Sequence, residues 1–228
     1  MRFRLTFAIA VLAAPFVGAA AGHATPVLTI KLSEAGFSSI TSSGVGAAAF
    51  FPLRSYGTFV INSVGAIGAP FADSRTLIDL DSLNVASKRK GGTLVISLTE
   101  TGLRGPIGQQ QFDNAIGGTL GIDDSLSYST YIDAHNKAFG TSTLINTATF
   151  SAPNIGHTAF SGESTGYGTS GRLFSETEVI TLVAKAGTAT SFDARLEVAP
   201  AAVPEPASLA VLGMGLLGLC GIRRRQTR

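Results

Sequence analysis

Tryptophan is absent from the 228 residues, and there are only one cysteine, two methionines and three histidines. A lone Cys220 cannot close an intramolecular disulfide, so no disulfide framework holds the fold. Charged residues make up 14% of the chain against 45% hydrophobic ones, which excludes an intrinsically disordered protein. Also missing is any stretch between the two ends in which apolar residues recur at i, i+3, i+4 and i+7 over three turns. Helical bundles and βαβ units are thereby disfavoured. Glycine is abundant instead, with 27 copies, and 14 phenylalanines supply most of the aromatic residues.

The two ends read as addresses. Arg2 and Arg4 precede an apolar run from Leu5 to Val17, and the small residues Gly22 and Ala24 sit three and one positions before Thr25. This is the layout of a secretory signal peptide over residues 1–24, cut by signal peptidase between Ala24 and Thr25; a cut after Ala21 has the same spacing. A dozen apolar residues are too few for a retained membrane span, which needs about 20. At the other end, Ala207 to Ile222 carries no charge and is followed by Arg223, Arg224, Arg225 and Arg228. As a helix this segment spans about 24 Å, a little less than the hydrocarbon core. The arginines belong on the cytoplasmic side, which puts everything before Pro204 outside the inner membrane.

Val203-Pro204-Glu205-Pro206, a glycine-rich hydrophobic segment and a terminal arginine cluster follow one another in this order. That succession resembles the PEP-CTERM tail of exported proteins from Gram-negative bacteria that make extracellular polysaccharide. The resemblance implies processing near Val203–Pro206 by exosortase, an integral-membrane protease, and delivery to the cell surface or extracellular matrix. It also implies a transient anchor in the inner membrane through residues 207–222, with 223–228 as a basic cytoplasmic tail. Residues 200–206 read as a Pro/Ala linker holding the motif.

Removing the addresses changes the electrostatics. Six bases lie in the terminal segments, so residues 25–206 keep 11 Lys and Arg against all 15 Asp and Glu, a net charge of −4. No basic face remains to recruit nucleic acid.

Residues 25–199 read as one β-domain. Strand patterns occur at Val27–Ser33, Tyr56–Val64, Thr76–Val85, Thr93–Thr99, Leu120–Ile132, Thr143–Phe150, Thr158–Phe160, Glu178–Ala184 and Ser191–Val198, with Gly, Asp or Asn at nearly every junction. Eight or nine strands without crossover helices predict an all-β fold, an antiparallel β-sandwich or jelly-roll. Lys185-Ala186-Gly187-Thr188 reads as the turn of a closing hairpin.

Chemical motifs were weighed against bland alternatives. Gly162-Glu163-Ser164-Thr165-Gly166 matches the G-x-S-x-G nucleophile elbow, but no helix pattern follows Ser164 and no histidine follows His157. Gly44-Val45-Gly46-Ala47-Ala48-Ala49 matches a dinucleotide-binding turn, yet no acid occurs between Glu34 and Asp73 to hold a ribose. Both read as glycine-rich loops. Asp79/Asp81, Asp123/Asp124 and Glu176/Glu178 are the close acid pairs, and solvated strand edges or turns account for them. Asp123 and Asp124 are the weak candidates for a calcium ion, which would need six to eight oxygens. Once His23 and Cys220 are set aside with the ends, His135 and His157 alone are too few for zinc and read as exposed loop residues.

A sugar-stacking platform would use exposed Trp or Tyr. Tyr56, Tyr128, Tyr131 and Tyr167 are scattered, and Tyr128 and Tyr131 fall on opposite faces of a regular strand. Thr141/Thr143, Thr147/Thr149 and Thr188/Thr190 recur at no fixed period and read as solvent-facing strand positions. The expected function is therefore that of a non-enzymatic surface or matrix protein, with a structural or adhesive part beside exopolysaccharide. A carbohydrate-binding module and a secreted hydrolase of unrecognised type are the alternatives.

Overall fold

The computed structural model describes residues 25–45, 48–52, 54–62, 64–68 and 77–198. The signal peptide, the hydrophobic segment 207–222 and Val203–Pro206 lie outside them. Among the described residues every regular element is a strand: β1 (Val27–Glu34), β2 (Ile40–Val45), β3 (Ala48–Phe51), β4 (Arg54–Tyr56), β5 (Phe59–Ile61), β6 (Val64–Ile67), β7 (Leu77–Ser87), β8 (Gly92–Leu103), β9 (Gly108–Leu120), β10 (Ser125–Asp133), β11 (Thr143–Ser151), β12 (Thr158–Ser170), β13 (Phe174–Ala184) and β14 (Ala189–Val198). They form two antiparallel sheets. One has the order β11-β10-β13-β8-β1-β2, the other β12-β9-β14-β7-β5-β4, with β6 beside β7 and β3 beside β6.

Period-two alternation explains the sandwich. In β1 the side chains of Leu28, Ile30 and Leu32 are fully buried while Val27, Thr29 and Lys31 face outward. Opposite them, Phe59, Ile61, Ile78, Leu80, Leu83 and Val85 present the inner face of the second sheet, and one core cluster joins both sets. A smaller cluster of Leu103, Phe112, Ile132, Phe174 and Leu196 fills the end of the sandwich where β14 finishes.

Between the two clusters the interior turns polar. Glu100 and Glu176 are direct cross-strand neighbours on the inner face, Glu178 lies one step along β13, and all three are fully buried. The expectation that Glu176/Glu178 occupy a solvated edge or turn is corrected: β13 is interior to its sheet, and their parity points them inward with Ile180 and Leu182. The Tyr128 hydroxyl lies 2.8 Å from Glu178 Oε1 and 3.1 Å from the Arg195 carbonyl oxygen, spanning the two sheets. Burial lifts the Glu178 carboxyl from 4.5 to about 8, against the lowering effect of the Tyr128 hydrogen bond. The phenolic O–H is the donor in both contacts, its one proton shared between Glu178 Oε1 and the Arg195 carbonyl oxygen.

The pairing differs from the simple reading of the chain. The Lys185–Thr188 turn is no hairpin: β13 belongs to the six-stranded sheet and β14 to the other, so the turn crosses between sheets. The connections β7 to β8, β8 to β9, β9 to β10, β11 to β12 and β12 to β13 cross in the same way. Tyr56–Val64 is broken by a turn at Gly57-Thr58 into β4, β5 and the start of β6. Leu120–Ile132 divides at residues 121–124 into the end of β9 and β10. Thr158–Phe160 proves to be the start of the 13-residue β12, which runs on through glycines. Those glycines are needed where β12 crosses its neighbours: a Cβ at Gly162 would lie 2.8 Å from the Phe150 ring, and one at Gly166 would lie 2.3 Å from the Ile145 carbonyl oxygen.

Candidate functional site

The outer face of the eight-stranded sheet carries the candidate site, and its composition follows from strand pairing. Outward residues of β12, β9, β14 and β7 meet in rows across strands spaced about 4.8 Å apart. One row is Glu163, Ala115, Arg195 and Asp79. The next rows are Thr165, Asp113 and Glu197 on one side, and Ser161, Gly117 and Asp193 on the other. A fourth is Ala159, Thr119, Ser191 and Asn84. Two grooves of about 440 and 460 Å³ occupy this face: one beside Asp113, Glu163, Arg195 and Glu197, the other beside Asn62, Asn84, Thr119, His157 and Ser191. The row through Gly117 lies between them, so the face carries an open trough of two grooves, polar beside Asp113, Glu163, Arg195 and Glu197 and largely apolar beside Val60, Val85, Ala86 and Ala189.

Small residues make the floor. Ala115, Gly117, Ala159 and Ala189 leave the backbone near the surface, and a Cβ on Gly117 would meet nothing closer than 3.6 Å. Gly118 is different: a Cβ there would lie 2.0 Å from the Ser191 carbonyl oxygen, so β9 and β14 approach as they do only with glycine at this position.

Arg195 is the base at the centre of this face. Its Nη2 lies 3.9 Å from Glu197 Oε1, and its charge opposes the rise in the Asp79 pKa that burial causes. Asp81 and Asp193 add to that rise, since three carboxylates share the neighbourhood of one guanidinium. The trough thus offers carboxylate and amide acceptors, hydroxyls and one planar cluster of N–H donors, with Glu163 and Arg195 exposed and Asp113 and Glu197 half-buried.

The residues singled out from sequence fall elsewhere. Asp123 sits in the β9–β10 turn with φ 58°, and Asp124 is buried beside it. Both carboxylate oxygens of Asp124 already accept hydrogen bonds: Oδ1 from the Lys185 amide at 2.8 Å and the Thr188 hydroxyl at 2.9 Å, Oδ2 from the Thr190 hydroxyl at 2.7 Å. These three bonds tie the β9–β10 turn to the β13–β14 turn and to β14. Among the described residues no group of three or more His, Cys, Asp or Glu is placed to hold a metal ion. Thr188 and Thr190 are therefore internal partners of Asp124, correcting their reading as solvent-facing positions.

Ser164 of the G-x-S-x-G match lies in the middle of β12 and hydrogen-bonds the Asn146 side chain. It is a strand residue and not an elbow. Gly44 of the second glycine motif is at the end of β2, where a Cβ would strike the Ala48 carbonyl oxygen. His135 and His157 are exposed in loops, and His157 borders the upper groove. Tyr128 is buried and Tyr167 is 58% exposed at the edge of the outer face.

Asp113, Glu163, Arg195 and Glu197 escaped the sequence reading because three separate strands bring them together. The alternating Asp193-Ala194-Arg195-Leu196-Glu197 was the visible part of the signal, a strand whose outward residues are all charged.

A family model described as the PEP-CTERM protein-sorting motif matches residues 202–225. No curated protein matches the chain. Among solved structures, the enzymatically active domain of bacteriophage CBA120 tailspike protein 4 aligns at 8% identity and TM-score 0.34, over 63% of this chain and 20% of that one. The structure of infectious bursal disease virus Gx strain aligns at 10% identity and TM-score 0.36, over 80% and 53%. The C-terminal CBM6 of LamC from Zobellia galactanivorans aligns at 14% identity and TM-score 0.26, over 65% and 98%. This chain thus spans a fifth and about half of the first two. At such scores the sandwich rests on its own sheet order and core. The tail is the part with a family: residues 202–225 carry the PEP-CTERM protein-sorting motif, which supports a PEP-CTERM protein and implies processing by exosortase.

Proposed function

We propose that this is a non-enzymatic surface or matrix protein whose β-sandwich holds extracellular polysaccharide in the trough on its eight-stranded sheet. The sorting signal implies export and a membrane-anchored C-terminus before placement at the cell surface. Signal peptidase removes residues 1–24, residues 207–222 span the inner membrane, and exosortase releases the domain near Val203–Pro206.

The observation that carries the binding reading is the floor of Ala115, Gly117 and Ala159 bordered by Asp113, Glu163, Arg195, Glu197, Asn84 and Ser191. A flat sugar ring needs shallow backbone beneath it and both donors and acceptors at its rim for vicinal hydroxyls. Carboxylates and amide oxygens accept, Arg195 donates, and the open shape admits a polymer from either end.

Affinity electrophoresis through the organism's own matrix polymer tests this. The intact domain should be retarded; Gly117→Phe, which fills the trough from a position with room for a side chain, and Arg195→Ala should each migrate freely. Retardation of both variants equal to that of the parent would overturn the assignment. Release of reducing sugar from the polymer by the parent protein would replace it with the hydrolase reading.

A further inference from the structure

The position of the last described residue relative to three loops has a functional consequence. β14 ends at Val198, opposite Phe112 of β9 and beside Leu77 at the start of β7. The same end of the sandwich carries the β8–β9 loop (residues 104–107), the β10–β11 loop (134–142) and the β12–β13 loop (171–173), because Leu103, Phe174, Asp133 and Ser170 all finish or begin strands there. These loops contain Arg104, Lys137 and Arg172, all exposed, with His135, and no Asp or Glu. Ile107 stands 74% exposed beside Pro106 at the tip of the first loop.

We infer that this end of the sandwich docks on the anionic phospholipid surface of the membrane that anchors the tail. Residues 199–206 separate Val198 from the start of the span at Ala207 and reach at most about 29 Å when fully extended. The loops therefore stand at the membrane face whenever the tail is inserted. Among the described residues of these loops the three exposed bases match an anionic leaflet, the adjoining acid, Asp133, being buried and 3.6 Å from His135 Nδ1, and Ile107 is placed to enter the headgroup region.

The acid-lined trough runs up the side of the domain, away from that surface. The loops are held in shape for this task. The Gly102 amide donates to Asn136 Oδ1 at 2.7 Å, Ser175 Oγ to the Lys137 carbonyl at 2.7 Å, and Ser170 Oγ to the Pro106 carbonyl at 2.5 Å. Gly171 packs so closely on the Ala134 carbonyl that a Cβ would lie 2.5 Å from it. Docking then sets the height of Pro204-Glu205-Pro206 at the membrane surface, where an integral-membrane protease must reach it.

The inference rests on the membrane-anchored tail, and the experiment separates the two. Full-length protein carrying Cys220→Ser and Ile107→Cys, labelled with a polarity-sensitive dye, is incorporated into phosphatidylcholine vesicles with or without phosphatidylglycerol. A second version carries the dye on Ile155→Cys, an exposed loop residue at the opposite end. Flotation with the neutral vesicles reports the anchor alone. Dye at 107 should brighten about twofold when phosphatidylglycerol is present. Raised salt and the combined Arg104→Gln, Lys137→Gln and Arg172→Gln substitution should each abolish that response. Dye at 155 should stay unchanged, although Lys88, Arg89, Lys90 and Lys185 lie at that end. A protein that floats but shows no lipid-dependent change at 107, or an equal change at 155, overturns the docking. Failure to float withdraws the anchor and the docking with it.

Discussion

Thr190 donates its hydroxyl to Asp124 Oδ2 at 2.7 Å across 66 residues of sequence, inside the protein. The same hydroxyl accepts the Gly121 amide at 2.9 Å, so one threonine fixes both ends of the β9–β10 turn to β14. Asp124 in turn holds Lys185 and Thr188, and the Gly187 amide reaches the Lys88 carbonyl at 3.1 Å. Three turns that each cross between sheets are thereby joined into one knot.

Asp124→Ala should remove this knot's acceptor and leave Thr190 and the Lys185 amide without it in a buried place. A loss of about 2–4 kcal/mol of unfolding free energy is expected from urea denaturation. Adding calcium or a chelator should leave the midpoint of the parent protein where it was, because the Asp124 oxygens are already filled.

Glu178 predicts the pH dependence. Its folded value of about 8 lies above the ordinary 4.5, so the folded protein holds a proton that the unfolded chain has lost between these values. Stability from this group is complete below about 4.5 and drains away as pH rises to about 8. The partly buried Asp79 acts with the same sign, raised chiefly by desolvation. Glu178→Gln keeps the neutral shape at every pH. It should flatten the fall in unfolding free energy between pH 5 and 8 by an amount on the order of a few kcal/mol. An unchanged slope would show that Glu178 is ionised in the folded state.

Gly117 and Gly118 are neighbours in sequence with opposite tolerance. Gly118→Ala must push the Ser191 backbone away and should cost about 2–4 kcal/mol through the broken β9–β14 pairing. Gly117→Ala points into open space and should lie within about 0.5 kcal/mol of the parent or stabilise it slightly. Chemical denaturation of the pair reads the difference.

Sorting is checked by mass. Protein recovered from the cell surface should lack residues beyond the Pro-Glu-Pro region and so carry no thiol, since Cys220 is the sole cysteine. A strain without exosortase should retain full-length chain in the inner membrane. A Leu209–Arg228 segment still attached to the surface form would leave a plain membrane anchor.

Local alternation in the chain was enough to reveal β1, with Leu28, Ile30 and Leu32 inward at period two, and most of β7 and β14, where Ile78 and Leu80, and Phe192 and Leu196, take the inner face. β9 and β12 were largely hidden. Their Gly, Gln, Ser and Thr residues, with Asp113 and Asn114 in the middle of β9, resemble loop residues until a neighbouring strand is seen against them, as Phe150 is at Gly162. Glu176 and Glu178 misled in the opposite direction, since a carboxylate in a sequence looks solvated and only the sheet order puts β13 inside.

The sorting motif of the tail, the excess of acids over bases between residues 25 and 206 and the all-β class were legible in sequence alone, because each depends on local composition or on a contiguous motif. Which strands pair, and therefore which side chains share the trough, was decided by the tertiary structure. The turns carry the signals of hairpins, yet a turn of the same length can join neighbours in one sheet or cross between two. Burial of both inner faces in a common core selects the crossing, and that choice alone brings Asp113, Glu163 and Arg195 onto one face.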